Sequence, residues 1–108
     1  MSRKVIVAGP DDDDIAPALE NEGADVHRLD GVLTRPRLEE VGIVGAELYV
    51  LTDIDQATSI PIVCDLSDQI RTVVYSRKTI PEFVRGQLDL SVDPRLVDPA
   101  VVADELVD

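Results

Sequence analysis

The sequence predicts an α/β domain of three layers, Rossmann-like or flavodoxin-like, with a five-stranded parallel sheet in the order 2-1-3-4-5. Three observations carry that expectation. Short β-branched runs recur along the chain, and a helix-like segment follows each one. The central runs are almost continuously apolar, as in parallel strands covered on both faces. Right-handed crossovers with one reversal after the second strand then fix the order.

The strand-like runs are KVIVAG (4–9), DVHRL (25–29), ELYVLT (47–52), RTVVYS (71–76) and the weaker LDLSV (88–92). The intervening segments carry helix punctuation. DDDDIAPALENEG has acids before the helix, Pro17 early and Gly23 at its end. LTRPRLEEVG offers Thr34 as N-cap, Pro36 in the first turn and Gly42 as terminator. TDIDQATSIPIVCDLSD reads as one longer helix kinked at Pro61. TIPEFVRG reads as a capping box from Thr79 to Glu82, ending at Gly86, and DPAVVADEL as a helix with Asp98 as N-cap and Pro99 at its first position. No repeat or linker interrupts this alternation, so residues 1–108 read as a single domain.

Composition narrows the partners. Sixteen Val residues and no Trp describe an aliphatic, strand-rich core. The net charge of −12 opposes binding to nucleic acid, whose phosphates need facing cations, and to anionic membranes. With 15 Asp, 7 Glu, 8 Arg and only 2 Lys, the balance resembles that of a cytosolic protein from a salt-in halophile. At molar salt the Debye length falls to about 3 Å, which screens such a coat. The apolar run after the N-terminal basic residues is too short for a signal sequence, and no run approaches a membrane span, so the expected location is the cytoplasm. Cys64 stands alone, which rules out an internal disulfide framework, and is expected to be a small buried hydrophobe.

The middle of the chain, DGVLTRPRLEEVGIVGAELYVLTDIDQATSIPIVCDL, resembles Trk/RCK-type domains, Rossmann NAD-binding regulators of potassium transport. The match is best between Thr34 and Asp53. The family's G-x-G-x-x-G turn would begin at Gly9, where this chain reads Gly9-Pro10-Asp11-Asp12-Asp13-Asp14. The chain thus resembles a shortened, glycine-deficient version, akin to a family of short haloarchaeal proteins without an assigned function. The resemblance implies homodimerisation and a small-molecule ligand, with Asp30 in the place of a ribose-binding acid.

The aspartates bear directly on the cofactor. A pyrophosphate binds through close backbone approach at the positive end of a helix, and carboxylates there fill the same electrostatic niche. This disfavours an ordinary NAD or other nucleotide. Helix capping is the simplest role for the run, and a cation site (Mg²⁺, Ca²⁺ or K⁺) built from Asp11, Asp12 and Asp13 is the alternative. Any ligand, a nucleoside-type or other small molecule, is expected at the point where the strand order reverses, contacted by Gly9, Pro10, Asp30, Thr52, Asp53 and Gln56.

A second pattern uses the same places. Acids after the first strand, Asp53 after the third and Ser76 after the fourth resemble a response-regulator receiver, in which the third-strand aspartate accepts a phosphoryl group beside Mg²⁺. The fifth strand, however, ends SVDP and lacks that family's lysine. His27 lies mid-strand with no nucleophile in its sequence context, and Arg77 is the best-placed cation to pair with Asp53 or an anion. No P-loop is present. The expected function is a non-catalytic regulatory or small-ligand-binding module, with a receiver-like domain using Mg²⁺ and Asp53 as the alternative.

Overall fold

A computed structural model describes residues 3–107. Its strands are β1 (Lys4–Ala8), β2 (Asp25–Leu29), β3 (Leu48–Leu51), β4 (Arg71–Tyr75) and β5 (Leu90–Val92). They form one parallel sheet in the order β2-β1-β3-β4-β5, as the alternation of elements predicts. The helices are α1 (Ile15–Asn21), α2 (Arg35–Val41), α3 (Ser59–Leu66), α4 (Glu82–Arg85) and α5 (Pro99–Val107).

The period-2 alternation of the strands divides the core in two. Val5, Val7, Leu48, Val50, Val73 and Tyr75 face one way and pack on Ile15 and Leu19 of α1 and on Val102 and Leu106 of α5. Ile6, Ala8, Tyr49, Leu51 and Val74 face the other way, against Leu38 of α2, Ile60 and Val63 of α3 and Val84 of α4. Each buried Val, Leu and Ile among them contributes about 1.5–3 kcal/mol. Both faces are therefore dry at the centre of the sheet, which is why β1, β3 and β4 read as near-continuous apolar runs. At the edge, β2 is only half-covered.

Local signals behave as their chemistry dictates at α2. The Thr34 hydroxyl accepts from Arg37 N, Pro36 sits in the first turn, and Gly42 ends the helix at φ 85°. Asp98 precedes Pro99 at α5, its carbonyl accepting from Val101 N and Val102 N.

Three expectations need correction. The segment 53–68 is not one kinked helix. A 3-10 turn (Ile54–Gln56), started by the Asp53 carboxylate accepting from Asp55 N, is followed separately by α3. Pro61 becomes the third residue of α3, where its missing N–H is one of the donors a helix start leaves unpaired anyway, so it bends nothing. Likewise α4 begins at Glu82 with Pro81 as its N-cap, and no capping box forms from Thr79. Pro81 disfavours helical geometry at the preceding Ile80, which delays the start. Cys64 is half-buried rather than buried.

Among the described residues, the Tyr49 hydroxyl and Ser59 Oγ form a buried polar pair, 2.9 Å apart. Burial pushes the Tyr49 phenol up from its ordinary 10.0 to about 12, and the Ser59 hydrogen bond offsets part of that rise. The unfolded chain releases this proton near pH 10 while the folded chain keeps it. Above pH 10 the unfolded state therefore binds fewer protons, and stability falls as pH rises toward 12, by up to about 1.4 kcal/mol per pH unit. Burial raises the Tyr75 phenol as well, helped by the nearby Asp13, Asp98 and Asp11 carboxylates. Urea melts at pH 9, 10 and 11 measure the slope, and Tyr49→Phe is expected to flatten it in part.

Candidate functional site

The C-terminal ends of β1, β3 and β4 open onto a crevice of about 280 Å³, lined by Pro10, Asp11, Asp12, Asp13, Thr52, Tyr75, Ser76, Arg77 and Lys78. It lies beside the reversal of strand order between β1 and β3, where open α/β sheets leave room for ligands. Three loops build it. The first follows β1, the second is the single residue Thr52 after β3, and the third runs Ser76–Lys78 after β4.

The β1 loop is shaped by Asp11. Its Oδ1 accepts from Ile15 N at 2.8 Å and its Oδ2 from Ala16 N at 2.9 Å, with the side chain only 8% exposed. Pro17, the third residue of α1, has no N–H to offer. The first turn of α1 thus presents no free amide to a phosphate. Asp14, the residue before the helix, adopts left-handed backbone geometry at φ 59° and makes no side-chain cap of its own. Asp can tolerate that geometry, and the loop thereby folds back so that Asp11 reaches the helix start.

Arg28 of β2 locks the other side. It donates to Gly9 O at 2.8 Å and stands 4.0 Å from Asp11 Oδ2 and 3.6 Å from Asp30 Oδ1. The guanidinium lies between the ends of β1 and β2, on the side where Asp30 would meet a ribose. Sequence reasoning missed this residue. Its position one before the end of the strand and two before Asp30 was the only signal for it.

Gly9 brings the loops together. It is buried at φ 106°, and a Cβ on it would stand 2.5 Å from Thr52 Oγ1 and 3.0 Å from both Asp53 Cβ and Asp53 N. That close approach lets the Thr52 hydroxyl reach Ala8 O at 3.2 Å and Pro10 O. Thr52 is therefore what β3 presents to the crevice.

Of the six residues expected to contact a ligand, Pro10 and Thr52 line this crevice. Gly9 is buried beneath it. Asp53 is occupied at the 3-10 turn, and Gln56 Oε1 accepts from Leu33 N at 3.2 Å, tying down the loop before α2. Asp30 is exposed near Arg28. Asp11, Asp12 and Asp13 do line the crevice, but no three His, Cys, Asp or Glu side chains converge as a metal centre among the described residues. Asp11 is turned toward the backbone and Asp13 accepts from Arg77 at 2.7 Å, so Arg77 pairs with Asp13 rather than with Asp53. Lys78 pairs with Asp55 at 3.2 Å, and the Ser76 hydroxyl accepts from Lys78 N. His27 stands 3.0 Å from Asp25 on the edge strand, far from this arrangement in the sequence and outside its lining.

A family model, Family of unknown function (DUF7126), matches residues 5–106. The chain belongs to that family. Its match spans every strand of the sheet, from Val5 in β1 to α5, so the crevice lies within the part of the chain shared with DUF7126. No curated protein matches it. Among solved structures, the DUF7126 chain is similar to a protein of Burkholderia pseudomallei K96243 assigned by inference to pilus assembly. The TM-score is 0.67 and the identity 14%, over 96% of this chain and 86% of that one. It is also similar to a protein of Burkholderia thailandensis E264, likewise assigned to pilus assembly (cpaE). There the TM-score is 0.62 and the identity 13%, over 96% and 94%. At that identity the likeness concerns the fold. No described helix is long and apolar enough to cross a membrane.

Proposed function

We propose that this DUF7126 chain is a receiver-like regulatory module that responds to occupancy of its strand-end crevice and catalyses no reaction of its own. One observation carries the reading. Carboxylates after β1, hydroxyls after β3 and β4, and the cations Arg77 and Lys78 meet in one crevice, while the neighbouring dinucleotide path is filled by Asp11 and Arg28. The α1–α5 pair on one face and α2–α4 on the other agree with a receiver-like layout.

The crevice suits a small polar ligand rather than a nucleotide. Its volume of about 280 Å³ is just below the usual range for drug-sized ligands, and its charges are mixed. Asp12 is the carboxylate there without a side-chain or backbone partner described above. An anion competing with Asp13 for Arg77 would shift the β4–α4 loop that carries Ser76, Arg77 and Lys78.

A second reading keeps the scaffold and adds chemistry, with Asp53 accepting a phosphoryl group beside Mg²⁺. It is favoured by the position of Asp53 two residues beyond the end of β3. For it to operate, the Asp53 carboxylate must leave Asp55 N and turn into the crevice.

Incubation with acetyl phosphate and Mg²⁺, followed by intact-mass measurement, separates the two. The occupancy reading expects an unchanged mass. A gain of one phosphoryl group, absent in Asp53→Asn, would replace it with the phosphoacceptor reading. In parallel, thermal melts with NAD, ATP and AMP are expected to leave the midpoint unmoved, and a clear rise with any of them sinks the exclusion of nucleotides.

A further inference from the structure

We propose that the free edge of β5, with the two grooves along its α4 side, is a docking site for an acidic, extended segment of a partner protein. β5 ends the sheet, and no strand among the described residues covers its outer edge. Val92 O is taken by Ser76 N of the β4 side at 3.1 Å. Successive strand residues turn their amide and carbonyl to opposite neighbours, so those of the exposed Ser91 face outward. An unpaired edge of this kind is a template for strand addition.

Two open grooves, of about 430 and 520 Å³, share Ile80, Arg85 and Ser91 and so follow one another along β5 on its α4 side. Apolar side chains stand free beside them: Leu96 is 81% exposed and Leu90 36%. The larger surprise is charge. Arg77, Lys78, Arg85 and Arg95 all line the first groove, four of the ten basic residues in a chain of net charge −12. Asp93 is the one acid lining it. The other six basic residues are spread over the rest of a chain that carries 22 carboxylates.

That distribution selects the occupant. Each groove cation has an internal partner: Arg77 with Asp13, Lys78 with Asp55, Arg85 with Glu82 and Arg95 with Asp93. The Arg77, Lys78 and Arg85 pairs are single contacts at the surface and weak, so an incoming carboxylate can exchange into them at small cost, whereas Arg95 is held by both oxygens of Asp93. A second copy docked edge to edge about a two-fold axis would set the four cations against their own copies, which opposes self-pairing. A long polyanion would meet the acidic remainder of the surface. A short acidic strand feels mainly the groove, because charges beyond about 8 Å are screened at physiological salt. Ser76, Arg77 and Lys78 line this groove and the crevice alike, so the occupant shares the loop of the proposed crevice without depending on that reading.

The probe is a fluorescein-labelled seven-residue peptide alternating Glu and Val, titrated with the full chain and followed by anisotropy. Saturable binding is expected, weakened at least tenfold by Arg85→Glu combined with Arg95→Glu. Both are exposed, and circular dichroism verifies that the variant is folded. The same peptide N-methylated at alternate residues, which cannot pair as a strand, is expected to bind at least tenfold more weakly to the unaltered chain. No saturable binding, equal binding of a Lys–Val peptide, or full binding of the methylated peptide would each overturn the proposal. So would a dimer in sedimentation experiments that the double variant dissociates, since the edge would then belong to a second copy.

Discussion

Replacing Gly9 with alanine is expected to lower the unfolding free energy by about 3–5 kcal/mol, the largest effect of any single substitution in the crevice loops. Two costs combine. At φ 106° an L-residue is strained whatever space surrounds it, which accounts for about 1–3 kcal/mol. The new Cβ would also meet Thr52 Oγ1 at 2.5 Å and the Asp53 backbone N at 3.0 Å. The backbone atom cannot swing aside as a flexible side chain would, so β1 and β3 must part at their C-terminal ends, at a further overpacking cost of about 1–3 kcal/mol. For a domain of this length each kcal/mol moves the melting midpoint by roughly 4–8 °C. A drop of more than about 12 °C is therefore expected, and a drop under about 4 °C would show that the loops accommodate the methyl and that Gly9 does not set their spacing.

Asp11→Ala is expected to cost about 3 kcal/mol, because one side chain satisfies two backbone donors at the start of α1. A capping carboxylate contributes about 1–2 kcal/mol by itself, and here its nearly buried oxygens also face the Arg28 guanidinium. Removing it leaves Ile15 N and Ala16 N without acceptors in a helix start only partly open to water. Asp11→Asn keeps one acceptor oxygen and should lose roughly half as much. Asp12→Asn, by contrast, alters an exposed side chain and should stay within about 0.5 kcal/mol. Urea denaturation of the three variants tests the ranking. Equal effects at Asp11 and Asp12 would mean that the aspartates act as a general charge coat rather than through one directed cap.

The contrast between Asp11 and Asp12 marks how far the sequence could be read. Four consecutive aspartates before a helix announce a capped start, and the absence of G-x-G-x-x-G announces the loss of a phosphate turn. Which aspartate turns inward depends on the left-handed bend at Asp14 and on the exit angle of β1 after Gly9, and neither has a local sequence signature. The resemblance to Trk/RCK-type domains rests on the residues between Thr34 and Asp53 and, over the rest of the chain, on an order of elements that doubly wound folds share widely. Thr52 and Asp53 are adjacent in sequence, yet Thr52 lines the crevice and Asp53 starts a 3-10 turn, a difference of one residue that only the register of β3 on β1 resolves. Arg77 was visible as a cation near the sheet edge, but its pairing with Asp13, 64 positions away in sequence, was not.

The sequence by itself determined the five strands, their parallel order, two of the helix caps and the acidic character. These depend on local preferences that act over a few residues: β-branched runs, proline's missing N–H and glycine's tolerance of positive φ. Only the tertiary structure decided which carboxylates face the crevice, which are spent on backbone amides, and that four cations gather beside β5 in an otherwise acidic molecule. Those outcomes depend on where separate loops come to rest against one another, and side chains far apart in sequence meet only after the sheet has brought its strand ends to one edge.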